Sequence, residues 1–149
     1  MRGILFRGRR LPDYEWVEGY YCKYGHTGAE KNYIIPVYAS VLYAFDVIPE
    51  TVGQYTGLTD NNGKKIFEGD IIKSTVYIKQ VNGKTEREII SVVEYGIGYA
   101  YSNVYGVCQR FRDGSGSALL SVMSTSNTVD CTIIGNIHDN PEILRGEIE

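Results

Sequence analysis

Short runs of apolar and β-branched residues alternate with turn-forming clusters along the whole chain. The runs are rich in Val, Ile, Tyr and Thr, and turn signals recur too often to leave room for long helices. The clusters between the runs are LPDY, YGHTG, DNNG, VNGK, YGIG and RDGSGS. Short apolar runs separated by frequent turns predict a mainly β protein.

The clearest single element is a hairpin in IIKSTVYIKQVNGKTEREIISVVEY, residues 71–95. Asn82-Gly83 joins two alternating runs and predicts a two-residue type I′ turn. The register then pairs Val81 with Lys84, Lys79 with Glu86, and Val76 with Ile89. Opposite charges meet on one face of this hairpin and apolar side chains on the other, which favours that register.

A row of tyrosines marks the segment YGIGYAYSNVY, residues 95–105, which has small residues at most even positions. Tyr95, Tyr99, Tyr101 and Tyr105 share one face of the predicted strand. Packing in a core or a subunit interface is the favoured interpretation, because large aromatic side chains dominate both. The alternative is an exposed platform that stacks on bases or grips a peptide. The four tyrosines are the candidate partner-binding residues.

Other elements are predicted at both ends of the chain. Strands are expected at residues 3–7, 16–23, within 33–38 and at 129–137. Asn140-Pro141-Glu142 supplies an N-cap, a first-turn proline and a first-turn acid, which predicts a short C-terminal helix. Ile143 and Leu144 on this helix are expected to pack on the β core.

Composition and charge narrow the class of protein. A chain of 149 residues with 43% hydrophobic residues is long enough for one compact domain or a small barrel with an added layer. A net charge of −3 disfavours a generally basic nucleic-acid binder. Arg7, Arg9 and Arg10 are candidate polyanion contacts, although Asp13 and Glu15 follow so closely that ordinary solvated surface is the favoured interpretation.

The expected compartment is the cytoplasm. MRGILFRGRR lacks the apolar stretch of a secretory signal, and no run approaches the roughly 18 residues of a membrane span. Cys22, Cys108 and Cys131 are odd in number and far apart, which suits reduced, packed thiols. We expect no membrane association.

No motif for metal, cofactor or catalysis emerges. The segment GQYTGLTDNNGKKIFEGDII, residues 53–72, resembles a calcium loop only in outline. Counted from Asp60, Lys64 stands where an oxygen ligand is needed and Lys65 where a glycine is needed, so a turn is favoured. Cys22 and His26 have no close second pair of zinc ligands. Nucleophile-elbow, dinucleotide and P-loop patterns are absent from the sequence. We therefore predict no metal, no cofactor and no catalytic residues.

The run IFEGDII, residues 66–72, resembles the entry into the first long strand of SH3-like small barrels. The predicted architecture is an SH3-like β-barrel core at residues 53–149 that ends in a helical turn. Residues 1–52 form an N-terminal β-hairpin region packed on it. A single domain is the alternative.

The run PETVGQYTGLTD, residues 49–60, continued by GKKIFEGDI, residues 63–71, is similar to the YopX family of phage and prophage proteins. Residues 4–9, 16–20 and 134–144 also resemble the family. The resemblance covers nearly the whole chain except the middle, from about residue 74 to 128. The resemblance implies a small cytoplasmic protein encoded by a bacteriophage or prophage, mainly β with a barrel-like core. It implies no assigned biochemical function. The signature residues have the character of turn and packing positions: Tyr55, Thr56, Gly57, Gly63, Gly69 and Asp70.

Three hypotheses of function remain. The favoured one is a non-catalytic interaction module that binds an unknown host or phage protein, or a second copy of itself. Nucleic-acid binding by a small β-barrel is the alternative. An unrecognised enzyme is the third, and it would need a pocket with converging titratable groups.

Overall fold

The computed structural model describes residues 4–26, 28–38, 44–98, 104–114, 117–119, 124–125 and 127–146. The chain divides into two compact units, Met1–Tyr55 and Thr56–Glu149. The division falls inside one strand, β5, so each unit contains part of it.

The first unit is an antiparallel sheet. Its elements are β1 (Phe6–Arg9), β2 (Trp16–Tyr24), β3 (Lys31–Pro36), β4 (Phe45–Asp46), a 3₁₀ turn (Pro49–Thr51) and the start of β5 (Gly53–Thr59). The strand order is β5, β1, β2, β3, β4. One face carries the core, where Val17, Ile34 and Val47 are buried against Phe6 and Phe45. The strands predicted near residues 3–7, 16–23 and 33–38 therefore exist, with shifted ends.

The second unit contains a five-stranded antiparallel sheet and a short helix. Its elements are β6 (Lys65–Phe67), β7 (Asp70–Gln80), β8 (Gly83–Gly98), β9 (Val104–Phe111), β10 (Ser117–Leu119), β11 (Ser124–Thr125), β12 (Thr128–Val129), β13 (Thr132–Asn136) and α1 (Pro141–Leu144). The sheet order is β10, β9, β8, β7, β13. In the same unit β6 pairs with β5, and β12 pairs in parallel with the end of β5.

Both faces of β7 are covered at its start, where the neighbouring residues Ile71 and Ile72 point in opposite directions. Ile72 packs with Ile66 and Val93 in one core cluster. Ile71 packs with Ile90 and with Ile143 of α1 in another. The predicted helix is thus present, and Ile143 and Leu144 pack on the sheet as expected. The side chain of Asn140 does not cap α1, and its Oδ1 accepts the amide of Asn136 at 3.3 Å instead.

The mainly β class is confirmed. The strands form two sheets, and within the described ranges neither sheet closes into a barrel. The pairing therefore does not confirm the SH3-like barrel that was predicted.

The β7–β8 hairpin is present, but its predicted register is wrong by two residues. Gln80 faces Gly83 and Lys79 faces Lys84, so Val81 and Asn82 form the loop. At the base of the hairpin the buried residues Ile71 and Val92 face each other. Burial at the base fixes the register, whereas the charge pair used for the prediction, Lys79 with Glu86, lies near the loop.

Residues 60–64 form a turn around the Asp60 carboxylate. This side chain is 1% exposed. Its Oδ1 accepts the amides of Asn62 and Lys64, both at 2.9 Å, and its Oδ2 accepts the amide of Ile133 at 3.1 Å. The carboxylate is therefore committed to backbone donors of the turn and of β13.

Candidate functional site

The first unit carries an aromatic face on the side of its sheet opposite the core. Side chains alternate along a strand, so the residues that neighbour buried Val17 point away from the core cluster. The β1–β2 and β2–β3 pairings bring these residues together. The aromatic face consists of Arg7, Arg9, Trp16, Glu18, Tyr20, Cys22, Tyr24, Lys31, Tyr33 and Ile35. Tyr20 is 55% exposed and Tyr24 is 76% exposed.

Two arginines hold the indole of Trp16. The guanidinium carbons of Arg7 and Arg9 lie 4.9 and 5.0 Å from the centre of the indole ring. Such distances allow cation–π attraction. Arg9 also donates from Nη1 to the carbonyl of Tyr14 at 2.9 Å. Trp16 is thereby fixed at one end of the aromatic face.

The loop that joins β1 to β2 is tied together by Arg10 and Asp13. Arg10 Nε and Nη2 both donate to the Asp13 carboxylate, the shortest distance being 2.7 Å. The guanidinium of Arg10 also lies 4.7 Å from the centre of the Phe45 ring. Hydrogen bonding to Asp13 raises the pKa of Arg10, and the same bond lowers the pKa of Asp13. Both groups therefore stay charged and paired.

A cleft of about 690 Å³ opens beside this loop, and it is lined by residues of the 10–18 segment together with Val37 and Tyr38. Val37 is 58% exposed and Tyr38 is 79% exposed. Trp16 and Glu18 belong both to the cleft and to the aromatic face. The cleft is thus the end of that face rather than a separate site.

The tyrosine row predicted at residues 95–105 is described only in part. Tyr95 is half-buried in β8. The backbone of Tyr105 lies in β9 opposite Ile97, but its side chain is outside the description. Tyr99 and Tyr101 lie outside the described residues. Partner binding by these four tyrosines stays a prediction.

Burial makes Cys108 and Cys131 poor nucleophiles. Burial raises the pKa of Cys108, and it raises the pKa of Cys131 to about 12, with nearby carboxylates adding to the effect. Both thiols are therefore protonated at neutral pH. Among the described residues, no three or more His, Cys, Asp or Glu side chains converge as metal ligands. Nor does a helix in that part of the chain have the length and apolarity to cross a membrane.

A family model described as "YopX protein" matches residues 6–145. The chain belongs to the YopX family. No curated protein matches this YopX chain. Among solved structures it is similar to the crystal structure of protein EF1440 from Enterococcus faecalis, with 20% identity and a TM-score of 0.45. That match covers 97% of this chain and 99% of the other.

The YopX signature residues lie in turns and buried strand positions. Thr56 is buried, and its hydroxyl donates to the carbonyl of Ile66 at 2.8 Å. Asp70 is 1% exposed and accepts the amide of Phe67 at 2.8 Å. The backbone N–H of Tyr55 donates to the carbonyl of Leu5 at 2.7 Å, and Gly57, Gly63 and Gly69 have positive φ of 84°, 77° and 88°. None of these side chains belongs to the aromatic face defined above.

The aromatic face was not predicted from the sequence, although a signal for it exists. In WVEGYYCKY, the residues Trp16, Glu18, Tyr20, Cys22 and Tyr24 occupy alternate positions of one predicted strand. The interleaved residues Val17 and Tyr21 form the core side. An alternation with aromatic residues on both sides gives no indication of which side faces solvent, so the row was overlooked.

Proposed function

We propose that this YopX-family chain is a non-catalytic module that binds a protein partner through the aromatic face. A phage or prophage origin, a cytoplasmic location and self-association belong to the same proposal. The observation that carries it is the pair of exposed tyrosines, Tyr20 and Tyr24, on the same face as an indole fixed by two guanidinium groups. Trp, Tyr and Arg are the residue types that dominate binding energy at protein interfaces.

The charges of the aromatic face favour a protein over a nucleic acid. Arg7 and Lys31 lie directly opposite Glu18 and Tyr24, so both signs are interspersed with aromatic side chains. Each of the three candidate polyanion contacts already has a contact within the first unit: Arg7 and Arg9 with Trp16, and Arg10 with Asp13. A phosphate would have to compete with these contacts. A mixed, aromatic surface suits a protein interface better.

The decisive experiment first captures a partner protein from a lysate and then measures the affinity of the purified partner for this chain. The tagged chain is incubated with lysate of its host cell, with and without nuclease, and the retained protein is identified by mass spectrometry. The partner is then purified and its affinity is measured by calorimetry for the wild-type chain and for Y20T/Y24T, since threonine keeps the strand propensity. V81T changes an exposed apolar residue of the second unit and serves as the control.

We expect Y20T/Y24T to weaken binding by at least about tenfold, because exposed tyrosines at an interface centre carry much of its energy. V81T should bind as the wild type does. Equal affinity for Y20T/Y24T and wild type would contradict the role of the aromatic face. A partner lost on nuclease treatment would replace the protein hypothesis with the nucleic-acid one.

A further inference from the structure

The β7–β8 hairpin extends beyond the strands that flank it. β13 pairs with β7 only as far as Lys73, and β9 pairs with β8 only from Ser91 onward. We call the remaining two-stranded ribbon, residues 75–88, the arm. Where its side chains are described, at residue 75 and residues 80–88, all of these residues are exposed. A two-stranded ribbon on its own is at best marginally stable in water, so the arm would be stabilised by a further strand.

The outer edge of β8 presents backbone groups to such a strand. Along an antiparallel pair, every second residue directs its N–H and C=O away from the partner strand. On β8 these are the even-numbered residues, because the carbonyl of Ile90 accepts the amide of Arg112, which follows β9, at 2.9 Å. The N–H and C=O groups at this edge of the arm therefore belong to Lys84, Glu86 and Glu88. Among the described pairings no strand lies along this edge, so its geometry suits strand addition.

Two charges near the loop determine which strand fits this edge. The register places Lys79 opposite Lys84 and Tyr77 opposite Glu86, so neither Lys84 nor Glu86 has an opposite charge at its own rung of the hairpin. Cross-strand pairs of opposite charge stabilise a sheet, and like charges directly opposite each other destabilise it. The edge is therefore complementary to a strand that places an acid opposite Lys84 and a base opposite Glu86.

The other two charges of β8 in the arm are paired within the chain. Glu88 Oε2 lies 3.2 Å from Lys73 Nζ, and Arg87 Nη2 lies 3.6 Å from Asp113 Oδ2. These ion pairs hold both side chains toward neighbours of the same copy. The charges closer to the loop are thus the ones left to select an added strand.

A second copy of β8 supplies the complementary strand. When two identical strands pair antiparallel about a two-fold axis, one residue lies opposite its own copy and the register is symmetric about it. With Thr85 at the centre, Lys84 of each copy lies opposite Glu86 of the other. Two rungs of opposite charge then flank a pair of threonines, and these two rungs comprise about four backbone hydrogen bonds.

Charge selects this register among those centred within residues 84–88. The other residues of this range are all charged: Lys84, Glu86, Arg87 and Glu88. A register centred on any of them places that residue opposite its own copy, which is unfavourable. In the register centred on Thr85, Arg87 lies opposite Gly83, so no competing charge disturbs its ion pair with Asp113.

We propose that two copies of this chain pair through the outer edge of β8, antiparallel and centred on Thr85, so that the two arms form a four-stranded sheet. The proposal rests on the self-association included in the proposed function, and it assigns that association to a surface of the second unit. It uses no residue of the aromatic face. Lys84 and Glu86 are the residues that make the edge selective for a second copy.

Sedimentation velocity of the intact chain over a range of concentrations measures the association. We expect a reversible dimer with a Kd on the order of 100 µM, since the contact is small. K84E makes both rungs acidic and E86K makes both basic, so each variant alone should self-associate at least about tenfold more weakly. K64E makes the same change of charge at an exposed lysine of the 60–64 turn and should dimerise as the wild type does.

Mixing the two charge variants tests the assigned pairs. In a one-to-one mixture, Glu86 and the new glutamate of K84E lie opposite the two lysines of E86K, so both rungs regain opposite charges. We expect the mixture to form a heterodimer with an affinity within about threefold of the wild-type dimer. This recovery also shows that neither variant is misfolded.

Cysteine crosslinking tests the register in the C22A background. In T85C the two thiols lie directly opposite each other, with Cβ atoms about 5 Å apart, close to what a disulfide spans. In R87C, which keeps both charged rungs, the two thiols are separated by about four residues along the strands, or about 13 Å. We expect mild oxidation to convert T85C to a covalent dimer and to leave R87C monomeric under denaturing conditions.

A wild-type chain that stays monomeric at millimolar concentration would overturn the proposal, as would K84E and E86K chains that fail to associate with each other. Preferential crosslinking of R87C would overturn the register. These failures differ from a failure of the proposed function. A dimer that both charge variants leave unchanged would keep self-association and remove only this interface, whereas a monomer that still binds a partner through Tyr20 and Tyr24 would keep the binding module.

Discussion

Arg9 and Trp16 lie directly opposite each other on β1 and β2, with the guanidinium carbon of Arg9 5.0 Å from the centre of the Trp16 ring. The same guanidinium donates to the carbonyl of Tyr14, in the loop that joins the two strands. One side chain therefore connects the strand register, the aromatic face and the wall of the cleft. The geometry of the candidate site depends on this pair.

Replacing Arg9 with lysine keeps the charge but removes the planar group that covers the indole and reaches Tyr14. We expect R9K to lower the free energy of unfolding, measured by urea denaturation, by about 1 kcal/mol. The fluorescence emission maximum of Trp16 in the folded chain should also shift. The control is R87K, because Arg87 is 61% exposed and lies 3.6 Å from Asp113. That change should cost less than about 0.5 kcal/mol, and equal losses in the two variants would argue against a special role of Arg9.

Gly19 of β2 leaves no space for a side chain. A Cβ atom at this position would lie 2.0 Å from the carbonyl oxygen of Ile35 in β3. Since backbone blocks the space, G19A should separate β2 from β3 and destabilise the first unit by about 3 kcal/mol. At Gly28 a Cβ meets nothing within 4 Å, but φ is +90°, so G28A should cost only about 1 kcal/mol. Thermal unfolding of both variants checks the order, and a G19A chain as stable as G28A would contradict it.

The Asp60 carboxylate should be one of the most sensitive polar positions in the second unit. D60A leaves the amides of Asn62, Lys64 and Ile133 without their acceptor, and we expect a loss of about 3 kcal/mol in the free energy of unfolding. D130A is the matched control, because Asp130 is exposed and its carboxylate accepts a hydrogen bond from the side chain of Asn61 at 2.9 Å. It should cost less than about 1 kcal/mol.

The same variants address the calcium hypothesis for residues 60–71. Because Asp60 is committed to backbone amides and Lys64 follows it in the turn, millimolar calcium should not change the melting temperature of the wild-type chain. A calcium-dependent rise in melting temperature that disappears in D60A would contradict this assignment of the turn.

Burial of Cys131 predicts a loss of stability at alkaline pH. Its pKa in the folded chain is about 12, above the ordinary thiol value of 9.0. The unfolded chain therefore loses this proton first as the pH rises, so the contribution to stability is complete below pH 9 and declines toward pH 12. Urea denaturation at a series of pH values should show a steeper decline for the wild type than for C131A. Parallel curves would show that the thiol does not contribute.

The alternation of apolar residues was enough to locate β1, β2, β3 and the β7–β8 hairpin, because burial of one face imposes a period of two. It could not assign the faces of β2, where Trp16, Tyr20 and Tyr24 alternate with Val17 and Tyr21. Which row is buried depends on what the neighbouring strand β1 places beside it, namely Phe6 on one face and Arg7 on the other. That is tertiary information, and the candidate site was missed for this reason.

The hairpin illustrates the same limit at the level of register. Asn82-Gly83 correctly indicated a turn, yet the loop consists of Val81 and Asn82. A shift of two residues keeps every side chain on its face, so the apolar pattern could not distinguish the two registers. The buried pair Ile71 and Val92 distinguishes them in the folded chain.

Disulfide trapping can test that register directly. Thr75 faces Glu88 in the structure, whereas the register predicted from the sequence would place Thr75 opposite Ile90. Directly opposed residues on antiparallel strands have Cβ atoms about 5 Å apart, close to what a disulfide spans, whereas diagonal neighbours are about 7 Å apart. We expect T75C/E88C to oxidise readily and T75C/I90C to stay reduced, in a C22A background that removes the half-buried thiol. Preferential oxidation of T75C/I90C would restore the predicted register and place Lys79 opposite Glu86 after all. Because residues 83–89 of β8 face no strand other than β7 among the described pairings, the outcome reports on the hairpin alone.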